Sequence, residues 1–148
     1  MDGDPTPARL RGTPSWLMTR AAARAHRLVS EGMAFAGARG YHYRLLAALA
    51  ESGPASQAEL GRRSGINRSD VVASVNELAE AGCVERTTDP ADRRRNIVTM
   101  TPAGVRQLGR LDGVLAEIQD ELLAPLSAGE RDQLMRLLSR ILDHHAPG

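Results

Sequence analysis

The apolar positions of this chain keep two kinds of spacing. In Leu17, Ala21, Ala25, Leu28 and Val29 they recur every three or four residues, the period of one helical face. That period returns in Val71, Val75 and Leu78, then in Val105, Leu108, Leu111, Leu115, Ile118 and Leu122, and again in Leu134, Leu137, Leu138, Ile141 and Leu142. It lapses between Cys83 and Thr101. There, two short strand-like runs flank a turn at Asp89-Pro90 and the cluster Arg93-Arg94-Arg95. A hairpin with its positive charge gathered at the tip is shaped to reach something anionic.

Start and stop signals set the boundaries. Residues 1–12, with two prolines, two glycines and scattered charge, read as a disordered lead-in. Thr13-Pro14 places a cap and a first-turn proline at the start of a helix reaching about residues 33–36, which Gly37 and Gly40 break. A second helix is expected over 41–51, closed by Ser52-Gly53-Pro54. Ser56-Gln57-Ala58-Glu59 is a capping box opening a short helix that Gly65 ends. Asn67 caps the next, with Asp70 in its first turn and Gly82 after it. Two short helices about a glycine-containing turn match the helix-turn-helix pattern. Beyond the hairpin, Thr101-Pro102 opens a long helix to about Leu123, Pro125 interrupts, and Ser127-Ala128-Gly129-Glu130 is a second capping box.

Composition narrows the picture. At 148 residues the chain is one domain with room for a sizeable core. Aromatics are only 3%, so that core must come from Leu, Val, Ile, Met and Ala, which suits packed helices better than a β-sandwich. The net charge of +1 means any basic footprint is local. All 19 basic residues are Arg; with abundant Ala and Gly, this fits a G+C-rich coding bias and carries no functional weight. One cysteine excludes an intramolecular disulfide framework. With no apolar run of membrane-spanning length and no signal-peptide pattern, a soluble cytoplasmic protein is expected.

A helix-turn-helix followed directly by a charged hairpin is a winged helix-turn-helix. The run Asp92-Arg93-Arg94, then Ile97-Val98-Thr99-Met100-Thr101-Pro102-Ala103-Gly104, resembles the wing of the MarR family of bacterial transcription regulators. That wing carries Asp-x-Arg, an apolar strand and a Leu-Thr-x-x-Gly-type helix start. The resemblance covers roughly residues 15–145. It implies a mainly α fold with one domain over 13–148: a winged helix-turn-helix of three helices and a two-stranded hairpin over about 41–101, between dimerisation helices over about 13–36 and 102–145.

In that family the wing arginine enters the minor groove while the aspartate two residues earlier holds its guanidinium. Carried over, these are Arg94 and Asp92. A narrow minor groove concentrates negative potential that suits Arg, and an Asp partner orders the side chain before binding. Arg93 and Arg95 are then expected to reach phosphates, against the plainer reading of a solvated arginine turn. The recognition helix, Asn67 to Ala81, offers Arg68, Ser69, Asp70, Ala73, Ser74 and Asn76 as DNA contacts, Asn76 being able to pair with adenine. Many relatives carry Thr and Arg where this chain has Val72 and Ala73, and a base at Glu77; Val72 and Ala73 suit thymine methyls, while Asp70, Glu77 and Glu80 repel phosphates if they face them. Ser56, Gln57 and Arg62, with Arg63, are candidate backbone clamps, or simply solvent-facing.

The stripes from Val105 to Leu122 and from Leu134 to Leu142 exceed what one small winged domain can cover, so a homodimer through the terminal helices on a pseudo-palindromic operator is expected, against the plainer reading that they pack on their own domain. The resemblance further implies a small aromatic or anionic effector lodged between dimer helices and winged domain. Trp16, Arg20, His26, His42 and Arg44 are the effector candidates; packing or capping is the alternative for Trp16 and both histidines. Cys83 reads as a buried small hydrophobe. Neither the scattered His nor any Ser–His or glycine-rich arrangement supports a metal, a cofactor or catalysis. The function expected is therefore a sequence-specific regulator of double-stranded DNA, most simply a repressor. The alternative is a winged-helix protein-interaction module that has lost specific DNA binding.

Overall fold

The computed structural model describes residues 3–148. Its element order is α1 (Ala8–Arg11), α2 (Pro14–Phe35), α3 (Gly40–Ser52), β1 (Ala55–Ser56), α4 (Gln57–Ser64), α5 (Arg68–Glu80), β2 (Val84–Thr88), β3 (Asn96–Met100), α6 (Pro102–Leu122) and α7 (Ala128–His145).

Two differences from the sequence reading stand out at once. The lead-in contains a turn of helix, α1, so the expectation of disorder over 1–12 fails for those residues; Met1 and Asp2 lie outside the described residues. That turn also changes the role of Thr13. Its hydroxyl donates back to the Leu10 carbonyl at 2.7 Å and caps nothing in α2, which leaves Pro14 as the start signal. Secondly, the hairpin is not alone. Ala55 and Ser56 pair antiparallel with Val98 and Ile97, making a three-stranded sheet of order β1-β3-β2. A two-residue strand has no period to read, and only the arrival of β3 gives its backbone groups partners.

The remaining caps obey local chemistry. Ser56, Asn67, Thr101 and Ser127 each accept from the backbone N–H three residues on, at 3.2, 2.9, 3.1 and 3.2 Å. Gly65 and Gly82 leave α4 and α5 at φ +65° and +75°, the left-handed region glycine tolerates. Gly104 is required for a different reason. A Cβ there would sit 2.1 Å from the Cys83 carbonyl oxygen, so α6 packs directly on the strand entrance.

The core gathers Met33, Leu45, Leu46, Leu49, Leu60, Val71, Val75, Leu78, Val84, Val98 and Leu111, all 4% exposed or less. Cys83 is buried with them. Helix α6 contributes Leu111 and Ile118 and crosses α2 closely: a Cβ on Gly32 would meet the Ile118 side chain at 2.5 Å. Helix α7 contributes no buried residue at all. Its stripe leaves Leu137 51%, Ile141 43% and Leu142 70% exposed, an amphipathic face that none of the described residues covers. Among the described residues no helix is long and apolar enough to cross a membrane.

Candidate nucleic-acid interface

The wing tip is a compact turn tied by its own backbone. Asp89 N–H donates to the Arg95 carbonyl at 2.9 Å, closing the hairpin, and Arg95 N–H donates to the Asp92 carbonyl at 3.0 Å. Within it, Asp92 Oδ1 accepts from both the backbone N–H of Arg94 at 3.0 Å and its guanidinium Nε at 3.3 Å. The Arg94 side chain is nonetheless 92% exposed. A guanidinium anchored at its root and free at its fork is what groove insertion requires. Arg93 is exposed and makes no hydrogen bond or ion pair among the described residues.

Arg95 behaves differently. It donates to Glu59 Oε1 of α4 at 3.1 Å and its Nε lies 3.9 Å from Asp89 Oδ2. The expectation that it reaches phosphates is corrected to this extent: its charge is committed to the protein, where it straps the wing to the helix-turn-helix. Glu59 is available because the first capping box is only half made. Ser56 receives the Glu59 N–H, but the Glu59 carboxylate turns to Arg95 and, at 3.6 Å, to Arg63.

Along α5 the structure sorts the expected contacts. Arg68, Ser69 and Ala73 are exposed, as is Val72 at 37%. Asp70 is tied down beside the cap, accepting from Asn67 Nδ2 at 2.7 Å. Ser74 is 5% exposed, and its side chain is unavailable to DNA. The reason is spacing: Ser74 falls between Val71 and Leu78 on the buried stripe. Ser56 is likewise corrected, 4% exposed at a helix cap that is also a strand. Asn76 is exposed, yet its Oδ1 accepts from Arg86 of β2, so bidentate pairing with adenine, which needs both amide ends, is closed while that bond holds. Arg86 escaped the sequence reading; its only signal is that it shares a strand face with the buried Val84 and so points toward α5. Glu77 does not face the DNA side. It turns inward to His42 and Arg39.

Gln57 and Arg62 join the two halves of this surface. They border a hollow of about 380 Å³ shared with Arg94, Arg95 and Asn96 of the wing. On their other side they border one of about 550 Å³ shared with Arg68 and Val72 of α5. Arg94, Arg62 and Arg68 thus lie along one continuous strip. Arg63 is drawn off it, donating to the Gly53 carbonyl at 3.4 Å and pairing with Glu59.

The effector candidates separate into groups. A cleft of about 550 Å³ between α2, α3 and α5 is lined by His26 and Arg44, together with Arg39, Tyr41, Asp70 and Glu77. His42 stands behind it, its Nε2 2.7 Å from Glu77 Oε2, which accounts for it as a packed capping residue. Trp16 and Arg20 do not line the cleft; they stack on each other, the guanidinium carbon 5.8 Å from the ring centre, far up α2.

Comparison with known proteins agrees with this geometry. The model of the MarR family matches residues 35–95, from the end of α2 through the wing tip. The chain is 37% identical over 99 residues to a putative transcriptional regulatory protein for the hcr operon of Thauera aromatica, covering 67% of this chain and 60% of that protein. It is 33% identical over 98 residues to the HTH-type transcriptional repressor NicR of Pseudomonas putida, covering 66% and 62%. The alignments therefore span about three fifths of these curated relatives. Among solved structures, the PcaV transcriptional regulator of Streptomyces coelicolor, in complex with its natural ligand, superposes with a TM-score of 0.73 at 30% identity, covering 93% of this chain and 97% of that one. With its helix-turn-helix, its three-stranded wing sheet and this match over nearly the whole of a solved relative, the chain belongs to the MarR family of transcription regulators.

Proposed function

We propose that this protein is a cytoplasmic, sequence-specific DNA-binding regulator, acting as a homodimeric repressor. The observation that carries the reading is Arg94: almost wholly exposed, fixed at its base by Asp92, and set on the same strip as Arg62, Arg68 and the open N-terminal half of α5. In the complex, α5 lies in the major groove with Arg68, Ser69, Val72 and Ala73 toward base edges and backbone. Arg94 enters the adjacent minor groove, while Arg62, Gln57 and Arg93 contact phosphates. With few cations on this strip, affinity depends on the wing and on DNA shape as much as on base-edge hydrogen bonds.

Two copies are needed to place two reading helices roughly 34 Å apart in successive major grooves. The uncovered stripe of α7, with Leu17 and Met18 of α2, supports a dimer built from the terminal helices. The operator is then pseudo-palindromic. The α2–α3–α5 cleft is the place for a small effector that releases the DNA. Footprinting on the DNA around the protein's own gene tests the reading. Salt-dependent protection of a palindromic segment, absent from a scrambled copy, is expected; equal binding to both would end it.

A further inference from the structure

The outward face of α5 runs Ser69, Val72, Ala73, Asn76 and Glu80, all exposed and spaced by threes and fours. Arg68 serves the first half of that face. The second half has no cation of its own: residues 74–80 contain two acids, Glu77 and Glu80, and no base. The cation there comes from the neighbouring strand. Arg86 of β2 stands opposite the buried Val98 of β3, on the same side as the buried Val84, and its Nη2 donates to Asn76 Oδ1. A guanidinium has only donors, so its partner on Asn76 is the amide oxygen, and the amide nitrogen is left to donate elsewhere. Both side chains belong to exposed residues, and neither makes another hydrogen bond or ion pair among the described residues. The pair therefore offers donors, while its one acceptor is already engaged by a cation.

We infer that Arg86, held by Asn76, is a base-reading residue, and that the pair selects guanine at the base pair facing the second half of α5. This rests on the regulatory reading above and names one base of each half-site. Guanine carries two acceptors, N7 and O6, on its major-groove edge, which match the fork of a guanidinium. Adenine sets an amino group beside its N7. That group meets a guanidinium donor to donor, and the Asn76 oxygen that could accept from it is held by Arg86. Cytosine presents an amino donor and fails in the same way, while the single O4 of thymine leaves half the fork unused. Val72 and Ala73, one turn back from Asn76, are small side chains that let the helix sit close to the base edges, within range of a long side chain from the adjoining strand. Released from Arg86, Asn76 regains both amide ends for adenine. Loss of Arg86 therefore reverses the preference at that base pair instead of merely weakening it.

The test uses the full chain and the footprinted operator, with each base pair replaced in turn and symmetrically in both half-sites, read by fluorescence anisotropy. For the parent, one G·C pair per half-site should cost about five- to 150-fold in affinity when changed to A·T. Arg86→Ala, shown by thermal melting to fold, should lose that penalty and favour A·T at the same pair through Asn76. Asn76→Ala leaves Arg86 unordered, so the guanine preference should shrink there without reversing. The pair identified in this way should also be sensitive, in the parent, to 7-deazaguanine, which removes the N7 acceptor alone. Insensitivity to that base overturns the inference even if Arg86→Ala does not fold. It is also overturned if Arg86→Ala discriminates as the parent does at every pair. A uniform loss on all fragments, with the salt slope reduced by about one, makes Arg86 a phosphate contact and overturns it too. With the operator still preferred over scrambled DNA, these outcomes reject base reading by Arg86 alone; equal binding of the parent to both DNAs rejects the regulatory reading and this inference with it.

Discussion

Arg95 in the wing-tip turn donates to Glu59 in the first helix of the reading pair at 3.1 Å, across 36 residues of sequence. Arg94, its neighbour, has no such tie to the helix-turn-helix. Adjacent arginines therefore do opposite work: one fastens the wing, the other projects from it. Removing the fastening should loosen the projection without unfolding the domain. Glu59→Ala is expected to cost at most about 1 kcal/mol of stability, since the pair is half exposed. It should speed amide exchange at Ile97 and Val98 and weaken DNA binding roughly two- to fivefold. Unchanged exchange in β3 would show that Arg95 holds nothing.

Arg94→Ala should cost more. Loss of a groove-inserted arginine corresponds to about 1–3 kcal/mol, or roughly five- to 150-fold in affinity, with the oligomeric state unchanged. Asp92→Ala leaves the guanidinium in place but unordered, so its penalty should be smaller. Anisotropy titrations of the parent and both variants on one operator fragment would decide the order. Parental affinity in both would remove Arg94 from the interface.

Arg93 has a different signature if it meets phosphate. Arg93→Ala should reduce the slope of log affinity against log salt by about one while leaving the preference for the operator over scrambled DNA intact. A changed preference would mean that it reads bases.

The exposed stripe of α7 yields a prediction on assembly. Leu137→Asp or Ile141→Asp places a charge on a face that is apolar and that none of the described residues covers. Sedimentation should show monomers, or the protein should become insoluble. An unchanged dimer mass would exclude α7 from the interface.

A pH effect follows from the tie between α3 and α6. Tyr43 donates its hydroxyl to Asp112 Oδ1 at 2.7 Å, and this bond, with partial burial, raises the phenol above its ordinary value of 10.0. A raised value means the contribution is whole below pH 10 and lost only as pH climbs through the higher folded value. Tyr43→Phe should therefore lower stability by about 0.5–1 kcal/mol at neutral pH, and the gap to the parent should close only in strong alkali. Denaturant midpoints at pH 7 and above pH 10 would test both signs.

Local chemistry alone set most of the scaffold. The three-to-four spacing of Val71, Val75 and Leu78 marks the buried face of α5, Ser127 and Glu130 cap α7, and Gly65 and Gly82 end their helices, because each depends on neighbours within one turn of backbone. The exposed Asp92–Arg94 unit was legible for the same reason, its partners lying two residues apart. What the fold alone decided are the long-range pairings. Ser56 and Ser74 look like polar contacts in the string but are buried by β1 pairing and by the α5 stripe. Asn76 meets Arg86, Glu59 leaves its capping box for Arg95, and Glu77 turns from the DNA side to His42 and Arg39. A charged side chain has several partners within reach once helices pack, and spacing along the chain carries no record of which one packing brings closest.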